Sequence, residues 1–199
     1  MSHFIYLVRH GEQEHAEHGI TDGPLSERGK LQAHAIGQRL AQVPFDQAFT
    51  SPLDRAMETA AIMDQYTRGP SVAPNNLLFD CIPSSPESAP EAYASFFSGV
   101  DEEMVEAGQA QMQDAVGAFL THSREDRHTL LVTHNFVIGY LVSHALELPE
   151  WRWLTLGSGN TALTILRLRS TRPTELTLFG DCSHLPLSDR TGASWTPQI

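Results

Sequence analysis

The sequence predicts an α/β fold built on a mainly parallel sheet, and three features carry that prediction. Residues 4–8, Phe-Ile-Tyr-Leu-Val, are a short apolar run of strand formers bounded by Gly11, the pattern of a strand buried on both faces. Residues 129–133, Thr-Leu-Leu-Val-Thr, repeat that pattern and lead straight into an apolar stretch of helical length. Between these runs apolar residues recur at helical spacing. Strands and helices therefore alternate, as they do where crossover helices cover a parallel sheet.

The elements follow in order. Polar residues 13–23, with Gly19 and Asp22-Gly23, make a loop. Pro24-Leu25-Ser26 opens a helix, with Ser26 as N-cap, Ala33, Ile36, Gly37 and Leu40 at helical spacing, and Pro44 as the stop. Residues 45–50 form a second strand. Ser51 and Pro52 fit the N-cap and first position of the next helix, whose inner face is Ala56, Ala60 and Met63. From 67 to 98 the pattern fails at Pro70, Pro74, Pro83, Pro86 and Pro90. This is a long irregular loop or lid, anchored by Leu77, Leu78 and Phe79. Residues 101–123 read as a helix with Met104, Gly108, Met112, Val116 and Phe119 facing one way. The strand at 129–133 precedes a helix at 136–145, and Trp151 and Trp153 cover a core edge. Residues 161–169 and 175–180 alternate as a closing antiparallel pair with Arg172-Pro173 between them. The polar tail from Leu185 is expected to fray.

A single domain spans 1–199, long enough to bury a sizeable core. Hydrophobic residues make up 41% of it, no apolar run reaches the length of a membrane span, and the start has no basic-then-apolar signal pattern. The net charge is -11, from Asp+Glu 24 against Lys+Arg 13. That balance argues against nucleic acid and against an anionic membrane surface as partners. Cys81 and Cys182 are too few for a disulfide scaffold and suit reduced thiols in a cytoplasmic protein. Nothing in the sequence specifies an oligomeric state.

The chemistry starts where the first strand ends. Arg9 and His10 stand at its carboxyl end, the side on which open parallel sheets bind ligands. A fixed cation beside an imidazole repels a metal and attracts an anion, and a guanidinium fork suits phosphate. Arg55 falls in the first turn of a helix, where the dipole also favours anions. His134 ends the later strand as His10 ends the first. Two arginines and two imidazoles can enclose a phosphoryl group, one imidazole attacking phosphorus while the others hold oxygens. His15 and His18 lie in an acidic loop with Glu12, Glu14 and Glu17, a solvated stretch rather than a metal site.

Arg9-His10-Gly11, Ser51-Pro52-Leu53-Asp54-Arg55-Ala56 and Val132-Thr133-His134, in that order, resemble the histidine phosphatase superfamily in its phosphoglycerate mutase-like branch. The Leu78-Phe79-Asp80-Cys81-Ile82-Pro83 segment is similar to the mitochondrial protein-phosphatase members of that branch. The resemblance implies a three-layer sandwich with a central, mostly parallel sheet. It implies a phosphohistidine on His10, phosphate binding by Arg9, His10, Arg55 and His134, and no metal or other cofactor. It also implies a leaving-group acid. Many members have Glu where this chain has Asp80, so Asp80 is the expected acid and Glu12, Glu14 and Glu87 are the alternatives. After Gly11, many members carry Thr and Asn where this chain has Gln13 and Ala16.

These readings lead to a phosphomonoesterase of the histidine acid phosphatase type, acting on a small phosphorylated substrate or a phosphoprotein. A phosphoglycerate-type mutase is the alternative within the fold, but lysines to hold a second anion are few. A phosphoprotein-binding scaffold is the alternative outside catalysis.

Overall fold

The structure is a computed structural model and describes residues 1–15 and 22–192, the Ser88 side chain apart. Six strands form one sheet: β1 (His3–Arg9), β2 (Gln47–Thr50), β3 (Ala73–Pro74), β4 (Arg127–Thr133), β5 (Leu163–Arg169) and β6 (Arg172–Asp181). Their spatial order is β3-β2-β4-β1-β5-β6. The first four in that order run parallel, β5 runs antiparallel to β1, and β6 runs antiparallel to β5.

Side chains alternate across a strand, and β1 uses both faces. Ile5 and Leu7 join Leu131 and pack on α4 (Glu102–Phe119) and α5 (Asn135–Ala145) through Met112, Phe119, Val137 and Leu141. Tyr6 and Val8 join Leu130 and Val132 and pack on α1 (Glu27–Leu40) and α2 (Asp54–Met63) through Ile36, Leu40, Ala60 and Met63. This is the three-layer α/β sandwich with a mostly parallel sheet. One further short helix, α3 (Ala94–Phe97), lies in the irregular stretch.

Register positions the chemistry. Arg9 pairs with Thr133, so β1 and β4 end level with each other. The His10 amide donates to the Thr133 carbonyl at 2.9 Å. His10 and His134, far apart in sequence, thus leave adjacent parallel strands side by side. The turn after His10 packs against the start of α1, where Ser26 Oγ accepts from the Gly29 amide at 3.0 Å. A Cβ on Gly29 would meet the Glu12 carbonyl oxygen at 2.1 Å, so glycine permits this approach.

Several expectations need correction. Ser51 does not cap α2. The helix starts at Asp54, its amide donates to Asp22 at 3.1 and 3.2 Å, and the Ser51 hydroxyl is engaged by His134. A carboxylate from a distant loop thus does what a local hydroxyl was expected to do. Met104 is 56% exposed, and Val105 takes the buried place in α4. Trp153 lies inside the core at 1% exposure, its indole donating to Ser84 Oγ at 2.8 Å. Arg172 and Pro173 belong to the edge strand β6, where a missing N–H costs little. The chain from Leu185 to Gly192 is not frayed: Leu185 is buried, and Asp189 and Thr191 accept hydrogen bonds from Gln32. The rest of the tail, and His18, Glu17 and Ala16, lie outside the described residues.

Candidate active site

The carboxyl ends of β1 and β4 open into a cavity of about 180 Å3 whose lining includes Arg9, His10, Asp80, His134, Asn135 and Phe136. Arg55, 5% exposed, reaches it from the first turn of α2. Its Nε donates to His10 Nε2 at 3.2 Å, and its Nη2 donates to His134 Nδ1 at 3.2 Å and to Asp80 Oδ2 at 3.1 Å. The structure therefore brings Arg9, His10, Arg55, Asp80 and His134 together.

The two imidazoles are buried, with ring centroids 5.1 Å apart. His10 Nδ1 lies 2.7 Å from the Gly11 carbonyl oxygen. A carbonyl only accepts, so Nδ1 carries the proton and Nε2 presents its lone pair. His134 has the other tautomer. Its Nδ1 faces a guanidinium, which only donates, so the proton is on Nε2 and donates to Ser51 Oγ at 2.7 Å. Burial depresses both pKa values well below the ordinary histidine range. For His10, Arg9 and then Arg55 add to this; for His134, His10 and the same arginines do. Both rings are neutral at neutral pH.

Arg9 is held by two backbone carbonyls, those of Ser158 at 2.6 Å and of Gly192. Burial brings its pKa down to about 10, against the pull of Asp80, so it stays charged at neutral pH. Arg9 Nε is buried without a hydrogen-bond partner among the described residues. Asp80 sits at the cavity mouth with 39% of its side chain open to solvent. Desolvation by the surrounding chain nevertheless raises its carboxyl above the ordinary range, and Arg55 and Arg9 pull the other way. The loop carrying Asp80 can come close because α4 is bare at Gly108, where a Cβ would meet the Ile82 carbonyl oxygen at 2.1 Å.

The other carboxylates lie elsewhere. Glu12 accepts from Ser26 Oγ at 2.8 Å and pairs with Arg28, Glu14 pairs with exposed His15, and Glu87 is exposed; none of them lines the cavity. Among the described residues no group of three His, Cys, Asp or Glu side chains is arranged to hold a metal ion. Four supporting residues escape sequence reasoning. Asp22 pairs with Arg55 Nη1 at 3.2 Å, Ser51 Oγ accepts from His134 Nε2 at 2.7 Å, Thr59 Oγ1 accepts from the Gly11 amide at 2.9 Å, and Asn160 Nδ2 donates to the His10 carbonyl at 3.1 Å. Only Ser51 left a trace in the sequence, as part of the Ser51-Pro52 block. The others act across 150, 48 and 33 residues of chain, which no local pattern encodes.

A family model described as the histidine phosphatase superfamily (branch 1) matches residues 5–77 and 82–181. The chain belongs to the histidine phosphatase superfamily. Among curated proteins, the mitochondrial serine/threonine-protein phosphatase PGAM5 of Mus musculus is 30% identical over 190 residues, covering 92% of this chain and 64% of that protein. Pgam5 of Caenorhabditis elegans is 32% identical over 193 residues, with the same coverages. The chain thus spans 64% of the length of these curated relatives. Among solved structures, Bacillus stearothermophilus YhfR superposes with TM-score 0.73 at 23% identity, covering 92% of this chain and 98% of that one. Phosphoserine phosphatase of Entamoeba histolytica, in complex with 3-phosphoglyceric acid, superposes with TM-score 0.70 at 24% identity, covering 92% and 100%. Identities this low speak for the fold alone. No helix among the described residues is long and apolar enough to cross a membrane.

Proposed function

We propose that this histidine phosphatase-superfamily chain is a metal-independent phosphomonoesterase of the histidine acid phosphatase type, working through a phosphohistidine on His10. One observation carries the reading: the Gly11 carbonyl fixes the His10 proton on Nδ1, which leaves the Nε2 lone pair toward the Arg55 guanidinium at the cavity. In the first step Nε2 bonds to phosphorus as the ester P–O bond breaks, and protonated Asp80 gives its proton to the leaving oxygen. In the second, a water oxygen bonds to phosphorus as the P–Nε2 bond breaks and its electron pair returns to Nε2, Asp80 takes a proton from that water, and phosphate leaves. Arg9 and Arg55 hold the equatorial oxygens. The buried Arg9 Nε is a donor that a phosphoryl oxygen would satisfy. Neutral His134 accepts from Arg55 at Nδ1 and so orients the guanidinium beside the attacked phosphorus.

The substrate is a small phosphomonoester or a phosphorylated protein side chain. The relatives named serine/threonine-protein phosphatases support the second form. A cytoplasmic location stays part of the proposal, on the ground that Cys81 and Cys182 are both free thiols. The word mitochondrial belongs to the names of the relatives. Rapid quench with a radiolabelled phosphomonoester tests the mechanism. Acid-labile label on His10, absent from His10→Ala, is the expected result; label on His134 would sink it.

A further inference from the structure

A second cavity, of about 470 Å3, adjoins the phosphoryl pocket and shares Asp80 and Phe136 with it. Its floor is Arg55 and Asp80, and its walls are Leu53, Phe79, Ile82, Met104 and Phe136. Phe79 is 39% and Met104 56% exposed, so large apolar surface faces solvent beside the candidate acid. The walls are braced. Phe136 packs edge-on against Phe96 and Trp153, with centroids 5.5 and 5.0 Å away, and the Phe79 carbonyl accepts from Gln111 at 2.8 Å. Arg55 is the basic residue of this lining, and it already bonds His10, Asp22, Asp80 and His134. Asp22 adds a second carboxylate to the lining beside Asp80.

We infer that this groove is the leaving-group subsite and that it selects phosphomonoesters with an aromatic, ring-bearing leaving group and no second anionic group. The inference rests on the reading of the His10 cavity as the phosphoryl site. Asp80 lies at the junction, where a leaving oxygen would pass from one cavity to the other. Beyond it a ring meets Phe and Met side chains, which reward apolar area and ring-edge contacts. A carboxylate or second phosphate there would meet Asp22 and an Arg55 already in use. The same lining disfavours the mutase alternative, because a phosphoglycerate brings a carboxylate into an apolar, acidic groove.

The test uses inert phosphonates, so that binding is read apart from turnover. Calorimetry on the intact protein compares 3-phenylpropylphosphonate with methylphosphonate, and turnover of 3-phenylpropyl phosphate, ethyl phosphate and 3-phosphoglycerate is measured in parallel. The three leaving groups are alkyl alcohols, so ring and charge rather than leaving-group acidity set the order. The ring-bearing phosphonate should bind about ten- to hundredfold tighter, the gain expected for burying a side chain of Phe size. Met104→Glu should collapse that ratio toward one. Leu31→Glu, at an exposed apolar site on α1, should leave it intact. Equal affinities, or a ratio that survives Met104→Glu, overturn the subsite. Ring-selective binding without turnover of any ester leaves the subsite standing and removes the hydrolase reading. Turnover with no preference for the ring does the opposite.

Discussion

His10 and His134 occupy equivalent places in the fold and differ in one proton. Each follows the last residue of a central parallel strand, each is buried, and each accepts from the same guanidinium. Their other nitrogens face different partners. His10 Nδ1 meets a carbonyl of its own turn, whereas His134 Nε2 meets a hydroxyl delivered from β2. In His10 the nitrogen far from the backbone is therefore the base, and in His134 the nitrogen near the backbone is. A strand end supplies an imidazole at the ligand side of the sheet. The carbonyl at His10 Nδ1 and the guanidinium at His134 Nδ1 decide which nitrogen of each ring keeps its proton.

The largest expected effect breaks the pair apart. His10→Ala should lower kcat/KM by at least about 10^4-fold, the scale of losing a nucleophile. His134→Ala should cost about 10^2- to 10^3-fold, the scale of losing one stabilising donor, because Arg55 loses the acceptor that orients it. Comparable losses from both, with label still on His10, would mean that the two rings act as one unit. Next comes Arg55→Lys. It keeps the charge but loses the fork that spans both rings and Asp80, and should cost about 10^2-fold. Unchanged kinetics would remove Arg55 from the phosphoryl shell.

Asp80→Asn should slow alkyl phosphates by at least about tenfold more than an activated aryl phosphate, which needs little protonation. Equal slowing would make Asp80 structural. The pH profile has a sign. His10 is depressed, so it stays neutral and nucleophilic as pH falls below the ordinary 6.5. Asp80 is raised, so a larger fraction carries the catalytic proton as pH falls. The His10 shift moves the acid limb of kcat/KM for an alkyl phosphate below 6.5, the Asp80 shift moves the alkaline limb above the ordinary carboxyl range, and Asp80→Asn should flatten that alkaline limb. An acid limb at or above 6.5 would contradict the His10 shift. The smallest effect sharpens the comparison. Ser51→Ala removes the partner of His134 Nε2 and should cost about tenfold. Nitrogen-15 NMR should show both rings keeping their tautomers, because Arg55 still donates to His134 Nδ1. Mixed His134 tautomers would mean that Ser51 shares in placing that proton.

Much of this was legible because it is local. The apolar runs at 4–8 and 129–133 announce strands buried on both faces, as β1 and β4 are. Ser26 capping α1 is also local, three residues from the amide it serves. The readings that failed were settled by distant partners. Ser51 looks like a cap until His134 takes its hydroxyl and Asp22 supplies the cap instead. Met104 fits the apolar stripe of α4 until the loop at Asp80 takes a path that leaves it on the wall of a groove. The tail after Leu185 looks polar enough to fray, yet Arg9 and Gln32 need its carbonyls.

By itself, then, the sequence determined the α/β class and the strands that end in Arg9-His10 and His134, because period, length and residue type act over a few neighbours. Only the tertiary structure decided that β4 lies between β1 and β2, which histidine keeps its Nε2 lone pair, and that desolvation outweighs two arginines at Asp80. Proton position and pKa depend on which atoms surround a group within a few ångströms, and here those atoms come from strands, loops and a tail far apart along the chain.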